Sequence, residues 1–399
     1  MTPSSAEVTN LSEAFFAFEY GRTRVNVLAY VHLRNIVHST GAGRVARHMT
    51  ESLTLDQEVK THILADASDH RKVIRKLDPP WKELDYHLFQ SDTSAQQARW
   101  ALTGSPEAER YWPEVDIVYC TAESYVPTRR KRLVVTVHDA AIFEDDVHKP
   151  SYWLFKQRLK WRLLYSILAR KADLFHVVSN YSAERIAHYF PTIRSRLRVV
   201  HNAAPERFFA PVSAAGEGFL ERAGLRNRPY ILVPGGLHYR KNAEMVLNVA
   251  TLLRSRLPDY LLVVGGHSES RYLHRASALM PDILLTGFVD DEALCSLYHA
   301  ASAVWFPSRY EGFGVPVLEA MACGAPVVTS NGTALPEIAG DAAILVPPNA
   351  IDCHVEAIET VCCNRALREE LIIRGHARAR QFAWRSSAAK LTSYFRSII

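Results

Sequence analysis

"SRYEGFGVPVLEAMACG", residues 308–324, sets two glutamates, Glu311 and Glu319, on either side of a glycine-broken loop. "AVWFPS" before it reads as a buried strand, and the run from Pro316 reads as the opening of a helix. Gly312 and Gly314 let main chain approach a ligand, and proline suits the first position of a helix. A helix N-terminus offers unpaired N–H groups and the positive end of a dipole, a cradle for phosphate. Carboxylates there repel phosphate but accept hydrogen bonds from hydroxyls. A sugar nucleotide carries hydroxyls on both sides of its diphosphate. Glu311 is therefore expected to hold the transferred sugar, and Glu319, in the first helical turn, the ribose. The plainer alternative leaves Glu319 complementing the helix dipole and Glu311 solvated.

Working outward, short β-branched runs alternate with helical patterns. Strands read at "RVNVLAYVHL", "DIVYC", "RLVVTVHD", "DLFHVVS" and "LRVVHN", then at "YILVPGG", "YLLVVGG", "ILLTGFV", "AVWFPS", "APVVTS" and "AILVPP". Continuous apolar strands separated by helices predict parallel sheets covered on both faces. The strands are too many for one open sheet, and 399 residues suit two doubly wound α/β domains. The Pro/Ala/Gly-rich stretch from Pro205 to Gly224 marks the boundary. The expected division is 1–205 and 206–380, to which a family resemblance assigns acceptor binding and nucleotide-sugar binding respectively. An amphipathic helix in 381–399 then packs back on the first.

Ligands of open α/β sheets bind beyond the carboxyl ends of the strands. "PGGLHYRKN" ends in Arg240-Lys241-Asn242 just before a helix, where a guanidinium fork and an ammonium suit phosphate oxygens. A solvated surface pair is the plain alternative. "STGAGRVARHM" brings Gly41, Gly43 and Arg44 to a strand-to-helix turn, a weak glycine signature that an ordinary tight turn explains equally well. "VVTVHDAAIF" ends a strand with His138-Asp139, placed to meet a sugar or acceptor unless the histidine is simply satisfied by backbone.

The net charge of +5 is mild, which fits anionic small ligands and gives no support to nucleic acid as a partner. The six cysteines lack zinc-like spacing and read as free thiols of a reducing cytosol. No secretory signal and no run of about 20 apolar residues is evident, so a cytoplasmic protein is expected.

These motifs together resemble the retaining glycosyltransferases of family four, which have the GT-B fold of two Rossmann-like domains facing a central cleft. The resemblance rests on the E-x7-E stretch continuing through "APVVTSNGTALPEIAGDAAILVPP". It is supported by "GGLHYRKN", "LTGFVDDEALCSLYHAASAVWFPS", "VVSNYSAERI" and "VVHNA". It covers the chain from about Val134 onward and is thin before that. It implies that Arg240 and Lys241 neutralise the leaving diphosphate. Glu311 with the Phe313–Gly314 backbone and Val315 would fix the donor sugar, and Glu319 the ribose. Gly236 and Gly43 would approach the diphosphate, His138 would sit beside the sugar, and Phe288 and Val289 would meet the base. Asp139 and Arg44 are expected on the acceptor side. The family needs no metal or other cofactor, so none is expected beyond a GDP- or UDP-sugar donor. Resemblance to bacterial polysaccharide and lipopolysaccharide mannosyltransferases favours a mannosyl donor and a glycan or lipid-linked acceptor.

The competing readings are a GT-B epimerase or phosphorylase and a non-catalytic nucleotide-binding scaffold. One further stretch, 151–171, interleaves aromatics with Lys156, Arg158, Lys160 and Arg162. At helical spacing Leu154, Trp161, Leu164, Tyr165 and Leu168 share a face. That face either rests on the inner membrane surface or packs on the sheet.

Overall fold

The computed structural model describes residues 24–37, 41–145, 147–148 and 150–399. Two sheets, both built from parallel pairs, organise it. The first comprises β1 (Val25–Tyr30), β2 (Val59–Asp66), β3 (Tyr86–Phe89), β4 (Ile117–Cys120), β5 (Arg132–Val137), β6 (Leu174–Val177) and β7 (Leu197–Val199). Their spatial order is β3-β2-β1-β4-β5-β6-β7. The second comprises β8 (Tyr230–Pro234), β9 (Leu261–Gly265), β10 (Ile283–Gly287), β11 (Ala303–Phe306), β12 (Val327–Ser330) and β13 (Ala343–Val346), in the order β10-β9-β8-β11-β12-β13. Each order reverses beside the first strand of its sheet, which is the doubly wound pattern.

The central strands β8, β9, β11 and β12 are buried at every residue, which is why they read as unbroken apolar runs. Leu232 stands beside Val263 and Val304 beside Val327, so β-branched side chains pack in rows above and below the sheet. All six strands of this sheet lie where the sequence places them. In the first sheet β2 and β3 were not expected. The segment "VKTHILAD" mixes polar residues into its first half, and β3 is a four-residue edge strand with only Phe89 fully buried.

The sheet changes between Val199 and Tyr230, whereas the two compact units divide elsewhere. One unit comprises the chain up to Val135 with Ala388–Ile399, and the other Thr136–Ser387. Polar ties inside the second unit account for this. Ser179 Oγ and Ser182 Oγ both donate to Gly312 O, at 2.6 and 2.9 Å. Glu337 accepts from Asn180 N at 2.9 Å, Tyr181 N at 3.1 Å and His201 Nε2 at 2.8 Å. In the first unit the last helix is held by Thr392, which donates to Asp56 at 2.7 Å, and by Phe395 packed against Tyr119.

The helix Tyr152–Lys171 decides between the two uses expected for its apolar face, and packing is the one observed. Leu154, Tyr165 and Leu168 are buried, Tyr165 stacking on Phe190 with ring centroids 4.3 Å apart, while Trp161 and Leu164 are half-buried. The face nominated for a membrane is therefore packed inward. A different set is exposed: Tyr152, Trp153, Phe155, Leu159 and Leu163. Among the described residues no helix is long and apolar enough to cross a membrane.

Candidate active site

The site of the second unit is built where β8 and β11 end. After β8 the chain turns through Gly235 and Gly236, whose N–H groups both donate to Gly265 O, at 2.7 and 2.8 Å. Gly236 has φ +73°, and a Cβ there would lie 1.7 Å from His267 O, so only glycine is accommodated. The turn delivers Arg240 and Lys241 immediately before the helix Ala243–Arg256. Asn242, itself left-handed at φ 64°, pins it by donating to Pro307 O at 3.1 Å and Pro348 O at 2.7 Å.

After β11 the chain runs through Tyr310, Glu311 and Gly312 into the helix Val315–Ala322. Lys241 Nζ donates to Glu311 Oε1 at 2.7 Å, and its ammonium lies 4.5 Å from the Phe306 ring centroid. Arg240 reaches Asp139 Oδ2 at 3.1 Å. Asp139 also caps its own turn by accepting from Ala141 N at 2.9 Å. The two cations are thus held by acids, not left as a solvated pair. Burial alone would raise the Glu311 pKa, but Lys241 and Arg240 outweigh it and hold the carboxyl below the usual carboxylate range. Gly312 lies against the His138-Asp139 turn, and Ser182 Oγ, which serves Gly312 O, is 3.3 Å from His138 O.

The structure thus brings together His138, Asp139, Arg240, Lys241, Glu311 and Gly312, four of which the sequence reading placed at the donor and Asp139 at the acceptor. Glu319 differs in position. Gly314 closes the loop at φ 104° and the helix starts at Val315, so Glu319 lies a full turn inside. It is 1% exposed, with the Tyr298 hydroxyl donating to Oε2 at 3.3 Å. Phe313 is buried and contacts the rings of His201 and Phe382. Phe288 is exposed and Val289 half-buried, just past the end of β10. Gly43 and Arg44 belong to the first unit, in the first turn of the helix Gly41–Thr54. Ser39 and Thr40 of that loop lie outside the described residues.

Sequence reading missed the cavity beside the Arg-Lys turn. It measures about 480 Å³ and is lined by His148, His238, Tyr239, Arg240, Lys241, Glu269 and Arg271 among others. Glu269 follows β9 in "GGHSES", accepts from Tyr239 N at 3.2 Å and lies 3.5 Å from His238. The signal available was its place after a Gly-Gly strand end, the same cue that marked Arg240. A cavity with several cationic side chains, a buried ion pair and a helix start on its border can take a polyanion that also carries hydroxyls.

Comparison with known proteins agrees with this chemistry. The family described as "Glycosyl transferases group 1" matches residues 221–378, and "Glycosyltransferase Family 4" matches 39–207. The O-antigen chain mannosyltransferase B of Escherichia coli is 32% identical over 289 residues, 70% of this chain and 74% of that protein. The serotype-specific mannosyltransferase WbdA of Escherichia coli is 28% identical over 228 residues, of which the match spans only 28% of its length. A GDP-mannose-dependent phosphatidylinositol monomannoside mannosyltransferase of Mycolicibacterium smegmatis is 27% identical over 56% of this chain and 62% of its own. Among solved structures, sucrose-phosphate synthase from Thermosynechococcus elongatus superposes with a TM-score of 0.72 at 17% identity, covering 94% of this chain and 99% of that one. WaaG, a glycosyltransferase involved in lipopolysaccharide biosynthesis, gives 0.68 at 15%, covering 93% and 99%. The fold is GT-B, and the chain belongs to the group 1, family-four glycosyltransferases.

Proposed function

We propose that this enzyme transfers a mannosyl group from GDP-mannose, with retention of configuration, to a hydroxyl of a growing lipid-linked glycan of the O-antigen type. The observation that carries the reading is the pair of cations Arg240 and Lys241 lining a 480 Å³ cavity, with the buried Glu311 bonded to Lys241 behind them. Two cations suit the diphosphate, and the carboxylate suits sugar hydroxyls. The names of the mannosyltransferase relatives, one of them GDP-mannose-dependent, support the donor and the acceptor class.

In the reaction, the bond from the anomeric carbon to the diphosphate oxygen breaks and its electron pair leaves with the diphosphate. The acceptor oxygen bonds to the same face of the anomeric carbon, and its proton passes to the departing phosphate oxygen. Arg240 and Lys241 stabilise the charge that develops on the leaving group, a preorganised electrostatic effect. Glu311 holds the sugar, His138 lies beside it, and Glu319 takes the ribose. A panel of sugar nucleotides screened for thermal protection tests the donor. GDP-mannose at 100 times its Kd is expected to add about 2.7 kcal/mol. Protection by a UDP-hexose alone would replace the donor. The anomeric coupling in the product NMR spectrum tests the stereochemistry, and an inverted product rules out the same-face path. Release of GDP only when acceptor is present separates a transferase from an epimerase or a scaffold.

We further propose that the helix Tyr152–Lys171 rests on an anionic bilayer, at the cytoplasmic face where such an acceptor would be presented. Its twenty residues include Lys156, Arg158, Lys160, Arg162, Arg170 and Lys171 and no acid. Arg158 is engaged with Ile142 O and Asp145, while the other five cations are exposed. Trp153 and Phe155 are 60% and 65% exposed, among the largest apolar surfaces the molecule presents. Aromatics with flanking cations suit a headgroup interface, where each cation contributes about 1 kcal/mol. The variant Trp153→Ser/Phe155→Ser/Leu159→Ser leaves the packed face untouched. It is expected to lose co-sedimentation with phosphatidylglycerol vesicles while keeping activity on a soluble acceptor analogue. Equal binding of this variant and the wild type would refute the contact.

A further inference from the structure

The helix Asp291–Ala300 carries Cys295 and His299 one turn apart on a single face, and Cys323 stands at the end of the helix Val315–Ala322. Their ligand atoms all lie within 4.8 Å of one another. Both cysteines are buried and the histidine is half-buried. Neither cysteine touches the donor cavity described above, and the reaction makes no use of them.

The spacing is informative. The two sulfur atoms are 3.7 Å apart. Zinc–sulfur bonds of about 2.3 Å at a tetrahedral angle separate two thiolates by about 3.8 Å, whereas a disulfide requires about 2.05 Å. The thiols therefore already stand at the edge length of a tetrahedral site. The imidazole is oriented as well: Nε2 is 3.1 Å from Ala210 O, and because a carbonyl can only accept, the ring proton sits there. The ring also hydrogen-bonds the Cys295 thiol, so with Nε2 protonated its lone pair lies on Nδ1, the nitrogen that would meet an ion once that thiol ionises. A backbone carbonyl fixing the far nitrogen is the usual support of a metal-bound histidine. His376 adds a neighbour: its Nε2 would be 2.9 Å from a Cβ at Gly324, the residue after Cys323. Its buried Nδ1 has no hydrogen-bond partner among the described residues.

We infer that Cys295, His299 and Cys323 form a structural zinc site, completed by a water or, after a turn of its ring, by His376, which stands outside the cluster of three. Binding converts two thiols to thiolates and releases their two protons. The ion ties the helix of Cys295 to the helix that carries Glu319, so it braces the donor side without entering the reaction. The inference is independent of the donor assignment.

Reduced, metal-stripped protein titrated with Co²⁺ as a zinc surrogate tests it. The expected result is one equivalent bound with a thiolate-to-cobalt charge-transfer band, bleached by Zn²⁺. Two thiols, Cys295 and Cys323, are also expected to become open to alkylation only when a chelator is added, whereas Cys353 and Cys363 react at once and the buried Cys120 and Cys362 are indifferent to the chelator. Cys295→Ser and His299→Gln should each lower affinity at least tenfold, and Cys353→Ser should change nothing. Should the site variants fail to fold, the wild-type titration and thiol count decide alone. Absence of the band overturns the site. So does a band that survives Cys295→Ser, or loss of two thiols to a disulfide with no metal taken up.

Discussion

Lys241→Met is expected to lower turnover by about 10²–10³-fold, the usual cost of removing one charge-stabilising donor from a preorganised site. It is also expected to destabilise the fold. Lys241 Nζ is 2.7 Å from Glu311, and the two side chains are 19% and 7% exposed. Stranding one member of a buried pair costs about 3–5 kcal/mol. Arg240 still faces Glu311, which places the loss near the lower end. Stability from a carboxyl with a depressed pKa is present above its unfolded value of about 4.3 and is lost as pH falls through the folded value. Without Lys241, burial weighs more heavily on Glu311, so acid unfolding of the variant should begin at a higher pH than in the wild type. Adding Glu311→Gln should restore much of the stability and none of the activity. Denaturant melts with initial rates measure both. Near-normal turnover in Lys241→Met would remove this residue from the site.

Gly312→Ala should be nearly as damaging for a purely steric reason. A Cβ at this position would lie 2.3 Å from His138 O and 2.6 Å from Asp139 Cβ, and its carbonyl is already held by Ser179 and Ser182. The methyl group must push the His138-Asp139 turn away, and Asp139 is the partner of Arg240. Overpacking of this kind costs about 1–3 kcal/mol, and a displacement of about 1 Å among reacting groups costs about 10²-fold in rate. Gly332→Ala, where an added Cβ meets nothing within 4 Å, is the control and should be neutral. An active Gly312→Ala enzyme would show that the His138 turn takes no part.

What could be read from sequence follows from where the forces are local. Strands β8, β9, β11 and β12 were legible because burial on both faces demands unbroken apolar runs, and Gly-Phe-Gly before Pro316 announces a helix start whatever surrounds it. The pairings were not legible. Lys241 meets Glu311 across 70 residues and Arg240 meets Asp139 across 101, and no periodicity encodes either contact. Asp139 was accordingly assigned to the acceptor side without sight of its contact to Arg240. The inward face of Tyr152–Lys171 was legible from spacing, whereas the exposed apolar set on its other side was not. Helical spacing grouped Tyr165 with the buried set, but it carries no signal for what Phe155 and its exposed neighbours meet. Cys295 and Cys323 come from different helices, and their approach is a product of packing that no linear spacing rule anticipates.

The Gly235-Gly236 turn has a bearing on engineering. A Cβ on Gly266 would lie 2.9 Å from Gly236 N, just as one on Gly236 would strike His267 O. Two chain reversals therefore interlock without side chains, and this part of the binding surface offers nothing to redesign. Attempts to retarget the proposed donor preference should spare these glycines, and Glu269 that holds Tyr239 N, and diversify the exposed Arg271 and Phe288.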